Sequence, residues 1–150
     1  MLRGLKEVEL NENLEVIADS AFYLCESLEE VKTNKSLRII GREAFGICRK
    51  LKNIELPEGL EKIKDEAFMG CDSFSKLTVP ASVKEENIGC QDFWRDIPII
   101  IEFKSEHPYK DGIRIFGQAS WNKHLKIKVP QNQKEANLTM EGWKGFVFED

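Results

Sequence analysis

Cysteine is the residue type whose spacing in this chain most suggests chemistry. Cys25, Cys48 and Cys71 lie 23 residues apart, and each follows an Ala-Phe pair by three residues. Stacked strands would bring the sulfurs within about 4.8 Å of each other, close enough to share a metal. However, side chains in register point in parallel, which suits a disulfide torsion poorly, and no histidine shares the spacing. We interpret the three thiols as small apolar core residues. Cys90, outside this spacing, is the better candidate for a reactive thiol, although we expect it to be buried.

Signatures of the common catalytic classes are absent from the sequence. There is no G-x-S-x-G, H-E-x-x-H, Walker-type loop or G-x-G-x-x-G motif. The two histidines, His107 and His124, have no Cys, Asp or Glu at ligand spacing, so we interpret them as surface or turn residues. We therefore expect no catalytic residues, no metal and no cofactor.

Composition favours one soluble domain with a real core. The chain has 150 residues, of which 41% are hydrophobic and 32% charged. A formal net charge of −4 argues against nucleic-acid binding, which requires clustered basic residues. The start, "MLRGLKEVEL", lacks the pattern of a signal peptide, and no segment approaches the roughly 18 apolar residues of a membrane span. We expect no membrane insertion.

A 23-residue repeat organises the first half of the chain. The apolar positions of successive rows coincide through three full rows, and the fourth row is degenerate, with Glu86, Gln91 and Trp94 in place of Ile, Phe and Cys. The clearest columns are Leu5, Leu28, Leu51 and Phe74; Val8, Val31, Ile54 and Leu77; Leu14, Leu37, Leu60 and Val83; and Phe22, Phe45 and Phe68.

The repeat predicts a solenoid. In each row an apolar–polar alternation such as Glu7-Val8-Glu9-Leu10 indicates a short strand with one buried face. A unit of 23 residues cannot bury its own apolar face, whereas stacked parallel units form a continuous core. We predict a mainly β fold with short helical turns. Residues 1–83 would form the coils, three full and one partial, and residues 84–150 would continue the same solenoid as degenerate repeats and a C-terminal cap, with a strand at Ile97–Phe103 and a loop at "SEHPYKDG".

These residues carry a family resemblance. "LKNIELPEGLEKIKDEAFMGC" resembles the repeat of the BspA-like leucine-rich-repeat proteins of bacterial surfaces, and "KVPQNQKEANLTMEGWKGFVFED" resembles the segment that ends many such arrays. The resemblance implies a short helix after Pro130 and a last strand after Trp143, although Lys134 and Asn137 stand where the family usually has apolar residues. It also implies a non-catalytic, protein-binding function at the cell surface or in secreted form, with a host or matrix protein as partner. The alternative is a structural or spacer segment of a longer array.

Charge along the columns points to a candidate binding site on the strand face. Most columns alternate in sign, as in Lys6, Glu29 and Lys52; Glu9, Lys32 and Glu55; Glu15, Arg38, Glu61 and Lys84; or Asp19, Arg42 and Asp65. Such pairs stabilise adjacent coils. Glu7 and Glu30 instead place two negative charges in the same column. Such a locally unfavourable arrangement is a reason to look for a functional role. The alternative is that both side chains simply extend into water. The predicted binding residues are Glu7, Glu9, Glu30, Lys32, Asn53, Glu55 and Lys76.

Two further features have alternative interpretations. The aromatic residues Phe93, Trp94, Trp121, Trp143 and Phe146 are expected to plug the end of the core, or else to form a platform for a carbohydrate or peptide. The strand Leu5–Leu10 is expected to be an exposed sheet edge, and such edges can pair with a second molecule. The sequence thus predicts possible end-to-end self-association.

Overall fold

The computed structural model describes residues 4–91, 98–117 and 122–149, whose short elements follow the 23-residue repeat. Within these ranges the strands are β1 (Glu7–Glu9), β2 (Val16–Ile17), β3 (Glu30–Lys32), β4 (Ile39–Ile40), β5 (Lys62–Ile63), β6 (Lys76–Val79), β7 (Ile99–Phe103), β8 (Leu125–Lys128) and β9 (Val147–Phe148). The α-helices are α1 (Gly112–Phe116) and α2 (Gln131–Thr139), and two 3-10 turns span Glu85–Asn87 and Glu141–Trp143.

Parallel pairing at the repeat spacing confirms the predicted solenoid. β1 pairs with β3 so that Val8 lies opposite Val31. A second sheet, β2-β4-β5, places Ile17 opposite Ile40 and Ile40 opposite Ile63, again 23 residues apart. Sequence reasoning assigned one strand to each coil and missed this second one. At two residues each, these return strands are too short for an alternation pattern to reveal.

The predicted strand of the third coil, residues 53–56, is absent from the strands of the described chain. Ile54 nevertheless remains 5% exposed, so its column stays in the core. In the preceding coil, the Lys32 carbonyl accepts a backbone hydrogen bond from Leu10 N. The equivalent carbonyl, that of Glu55, instead accepts the hydroxyl of Thr33 at 2.6 Å. This side-chain bond replaces a ladder bond, and the expectation of a regular strand here was wrong.

Phenylalanine rings form the spine of the coils on the turn side. Phe22 stacks on Phe45 with ring centroids 5.3 Å apart, and Phe45 stacks on Phe68 at 5.7 Å. The ring planes are inclined by 6° and 2°, respectively, so the three rings are nearly parallel. Phe45 and Phe68 are fully buried. The ring column read from the sequence is therefore one continuous part of the core.

The turns next to this spine use left-handed backbone conformations. Leu24 and Ile47 have φ of 61° and 60°, and Gly70 occupies the equivalent position at 69°. A non-glycine residue there costs roughly 1–2 kcal/mol. The cost is offset because the same residues donate backbone bonds to the next coil, from Leu24 N to Gly46 O at 2.8 Å and from Ile47 N to Met69 O at 2.6 Å.

The second half of the chain is more regular than the degenerate turns predicted for Lys84 to Lys123. β6, β7, β8 and β9 form one parallel sheet in that order. The predicted loop is found at residues 105–111, and its last residue, Gly112, begins α1, whose N-cap Asp111 accepts the Arg114 N–H at 2.9 Å. The predicted strand is found at Ile99–Phe103, and Ile97 lies outside the described residues. Spacing between paired strands varies here, since Lys76 pairs with Ile100 and Ile100 with Lys126, so no fixed period marks these coils in the sequence. The division at residues 83 and 84 stays a prediction.

The end of the core is filled by aromatic residues. Trp143 is 2% exposed, and its indole N–H donates to the Tyr109 carbonyl at 2.5 Å. The Tyr109 hydroxyl in turn donates to Val83 O at 2.6 Å. A Cβ on Gly112 would lie 2.4 Å from the Trp143 ring, so this close approach requires glycine. The helix and strand expected near the end of the chain are α2 and β9.

Ion pairs between coils follow several predicted charge columns. Lys52 lies 3.4 Å from Glu29 and Arg38 lies 3.8 Å from Glu61, while exposed pairs of this kind contribute about 0–1 kcal/mol each. The column of Asp19, Arg42 and Asp65 does not pair as expected. Asp19 binds the Lys64 ammonium at 3.0 Å, and the Arg42 guanidinium lies near Glu43 and Glu66 at 3.3 and 3.6 Å.

Candidate functional site

Two adjacent strands carry the predicted like-charge pair. β1 and β3 pair in register, with Glu7 opposite Glu30 and Glu9 opposite Lys32. Val31 points into the core with 5% exposure, so its neighbours Glu30 and Lys32 project outward. The side chains of Glu7, Glu9, Glu30 and Lys32 therefore share one exposed surface, which we call the acidic patch.

One ammonium group, that of Lys32, lies among the three carboxylates of the acidic patch and pairs with one of them. Lys32 Nζ lies 2.6 Å from Glu7 Oε1, and both side chains are about half exposed. The hydrogen bond and charge of Glu7, with smaller contributions from Glu30 and Glu9, raise the pKa of Lys32. The repulsion that the sequence predicts between Glu7 and Glu30 is thus partly relieved from within the patch. With three carboxylates and one ammonium, the patch keeps a surplus of negative charge.

The other three predicted binding residues lie outside the acidic patch. Asn53 and Glu55 are exposed on either side of buried Ile54 and extend the outward face into the third coil. Lys76 belongs to the C-terminal sheet and is engaged by Glu102, its Nζ lying 2.5 Å from Glu102 Oε2. The structure brings Glu7, Glu9, Glu30 and Lys32 together and assigns Lys76 to a separate ion-pair cluster.

Glu102 is a residue that sequence reasoning missed. It accepts both Lys76 and, at 2.8 Å, Lys104. Burial would raise the pKa of its carboxyl group, but the hydrogen bonds and charges of the two lysines outweigh burial and lower the pKa from 4.5 to about 2. The lone acid in the apolar run "IIIEF" was the available signal, because an acid in a buried strand needs a cation nearby.

The cysteine column has the properties of core thiols. Cys48 Sγ donates to Phe22 O at 3.2 Å, and Cys71 Sγ donates to Phe45 O at 3.3 Å. Burial raises the pKa of Cys48 to about 12 and that of Cys71 well above its usual value. Since the thiolate is the reactive and metal-binding form, these residues are poorly suited to either role. Cys25, Cys48 and Cys71 are buried free thiols, and Cys90 is half-buried.

The remaining candidate residues that the structure describes are exposed histidines and buried aromatic residues. His107 and His124 are exposed. Trp143 and Phe146 are buried in the cap, as expected for a core plug, whereas Phe93, Trp94 and Trp121 lie outside the described residues. Among the residues that are described, no three His, Cys, Asp or Glu side chains are grouped so as to hold a metal ion, and no helix is long and apolar enough to cross a membrane.

Comparisons with known proteins agree with this fold. The family model described as a BspA type leucine-rich repeat region matches residues 2–95 in six copies. The chain belongs to this family, whose repeats generally serve as protein-interaction modules without enzymatic activity. The resemblance predicted from the sequence is confirmed. A comparison with curated proteins found no match.

Solved leucine-rich repeat proteins share the fold at low sequence identity. One from Treponema pallidum is 24% identical, with a TM-score of 0.58, over 97% of this chain and 86% of that one. One from Bacteroides capillosus is 23% identical, with a TM-score of 0.53, over 85% of this chain and 78% of that one. A protein from Bacteroides ovatus is 21% identical, with a TM-score of 0.56, over 84% of this chain and 40% of its own length. At this identity the comparison supports the fold alone.

Proposed function

We propose that the chain is a non-catalytic protein-interaction module of a bacterial surface or secreted protein, and that it binds its partner through the acidic patch. The observation that carries the proposal is the surplus of charge there. Glu7, Glu9 and Glu30 lie around Lys32 on two neighbouring strands, and only Glu7 has an ammonium at ion-pair distance in the described chain.

A basic side chain of a partner would fit this arrangement. It would form charge-assisted hydrogen bonds with Glu30 and Glu9 while relieving the repulsion between neighbouring carboxylates. Exposed charges at an interface act over about 8 Å at physiological salt, so such binding weakens as salt increases. The partner surface we propose is therefore basic, and a host or matrix protein is the expected source.

The test is capture of a partner with the intact protein, followed by affinity measurements on two matched variants. Glu7→Gln/Glu30→Gln removes two patch charges, while Glu58→Gln/Glu106→Gln removes two exposed charges elsewhere. We expect the first to weaken binding by about 1–3 kcal/mol at low salt and to flatten its salt dependence, and the second to have little effect. Unchanged affinity of the first variant would remove the acidic patch from consideration.

A structural or assembly role is the second candidate, favoured by the state of β1. In the described chain β1 is hydrogen-bonded on one side only, to β3. Its free backbone groups can pair with another chain, while Glu7 and Glu9 oppose such contacts by charge. Self-association that persists in Glu7→Gln/Glu30→Gln, without any captured partner, would support this second role over the first.

A further inference from the structure

A pocket beside the sheet formed by β6, β7, β8 and β9 has features of a second binding site. Its cavity, of about 670 Å³, opens between the ends of β7 and β8 and the first turns of α2. Lys128, Val129 and Pro130 line it from the end of β8, and Lys104 lines it from the end of β7. We call it the C-terminal pocket. None of the acidic-patch residues lines it, so it is separate from the proposed protein-binding surface.

Lys128 lines the C-terminal pocket without an ion-pair partner among the described residues. Its register partner Glu102 is held by Lys76 and Lys104 at 2.5 and 2.8 Å. Of the two other acids in the lining, Glu149 is held by Lys126 at 3.2 Å, and Glu135 lies on α2. Lys128 is half-buried, and across residues 4–91, 98–117 and 122–149 no carboxylate lies at ion-pair distance from its ammonium group. A partly desolvated cation without a counter-charge is costly, and an anionic ligand would lower that cost.

We propose that the C-terminal pocket binds a protein segment that carries one carboxylate next to an apolar side chain. The carboxylate pairs with Lys128, and the apolar side chain packs on Val129 and Pro130, both half-buried in the wall of the pocket. The volume lies within the range of about 300–1,000 Å³ that small ligands and side chains occupy.

The surrounding charges select a single negative charge. Glu102, Glu135 and Glu149 line the pocket together with Lys104, Lys128 and Lys134, so the lining carries no net charge and offers little to hold a second charge on the ligand. A phosphate group, which carries about two charges at neutral pH, is therefore disfavoured relative to a carboxylate. The apolar wall beside Lys128 favours a peptide over a free inorganic anion, because the peptide gains burial of its apolar side chain.

The test is a titration of the full chain with a short peptide, followed by NMR shifts of backbone amides. The probe is acetyl-Gly-Leu-Glu-Leu-Gly-amide, and its controls replace Glu by Gln or by Lys. We expect the acidic probe to shift the amides of residues 128–131, and the two control peptides to bind at least about tenfold more weakly, since a charge-assisted bond contributes about 1.5–3 kcal/mol. Binding of the Gln probe as tight as that of the Glu probe would overturn the proposal.

Protein variants separate this site from the acidic patch and from general charge effects. Lys128→Gln should lose about tenfold in affinity for the acidic probe, and Lys128→Arg should retain it. Lys50→Gln, which removes the same charge from an exposed turn of the coils, should bind like the unmodified chain. Retained affinity in Lys128→Gln, or inorganic phosphate that competes more strongly than acetate, would refute a carboxylate site. The Glu7→Gln/Glu30→Gln variant should bind the probe as tightly as the unmodified chain. A result that refutes one proposed site can therefore be distinguished from a result that refutes the other.

Discussion

Replacement of Phe45 tests the stacked-coil core most sharply. The ring is 0% exposed and lies between Phe22 and Phe68, with centroid distances of 5.3 and 5.7 Å. Phe45→Ala should reduce the free energy of unfolding by about 3–5 kcal/mol, because a buried ring is lost and a cavity remains between Phe22 and Phe68. Each lost ring contact adds about 0.5–1.5 kcal/mol beyond burial, which favours the upper half of this range.

Two substitutions in the same coils serve as controls. Phe22→Ala should cost about half as much, because Phe22 is half-buried and its described ring stack has one neighbour, Phe45. Cys48→Ala removes one sulfur atom, which donates to Phe22 O at 3.2 Å, and should cost about 1 kcal/mol. Phe45, Phe22 and Cys48 thus form a graded series.

The assay is equilibrium unfolding in urea at 25 °C, monitored by circular dichroism, with the slope m compared among the variants. Equal losses at Phe45 and Cys48, or a loss at Phe22 as large as at Phe45, would refute the arrangement of one buried ring per coil. A change in m would show that a variant alters the denatured state or the two-state transition instead.

Three further substitutions or measurements follow from the structure. Asn137 is 1% exposed in α2 and its amide N and O have no hydrogen-bond partner in the described chain, so Asn137→Leu should raise the free energy of unfolding by about 1–3 kcal/mol in the same urea assay. Glu102→Gln should lower the free energy of unfolding by about 1–3 kcal/mol at pH 7. Because the pKa of Glu102 is lowered from 4.5 to about 2 in the folded state, this difference should be complete above pH 4.5 and disappear as pH falls towards 2; a difference independent of pH would contradict the ion-pair cluster. Sedimentation velocity should show association at high concentration that increases in Glu7→Gln/Glu9→Gln, and a monomer at all concentrations would exclude pairing through β1.

The coils could be predicted from the sequence because their period is constant. Val8 pairs with Val31, and Ile17 pairs with Ile40, at the same 23-residue offset that aligns these positions in the sequence. The parallel sheet beyond Lys76 could not be aligned in this way. Its strands are paired at unequal spacings, and α1, which begins at the last residue of the predicted loop, was not foreseen.

The candidate site was predictable only in part. Alternation placed Glu7 and Glu30 outward on adjacent strands, which depends on the backbone alone. The partner chosen by a long side chain depends on rotamers that no periodicity encodes, and so the pairing of Lys32 with Glu7 was not foreseen. For the same reason Lys76 was assigned to the binding surface, while its actual neighbour Glu102 lies 26 residues further along the chain.

Carboxyl footprinting tests the central claim most directly. Exposed carboxylates are labelled with a carbodiimide and an amine, with and without a captured partner, and the extent of labelling is measured by mass spectrometry. Binding through the acidic patch predicts that Glu9 and Glu30 become protected in the complex, while exposed Glu58 and Glu106 keep their labelling. Unchanged labelling of Glu9 and Glu30 in a complex that otherwise forms would contradict a binding surface on this strand face.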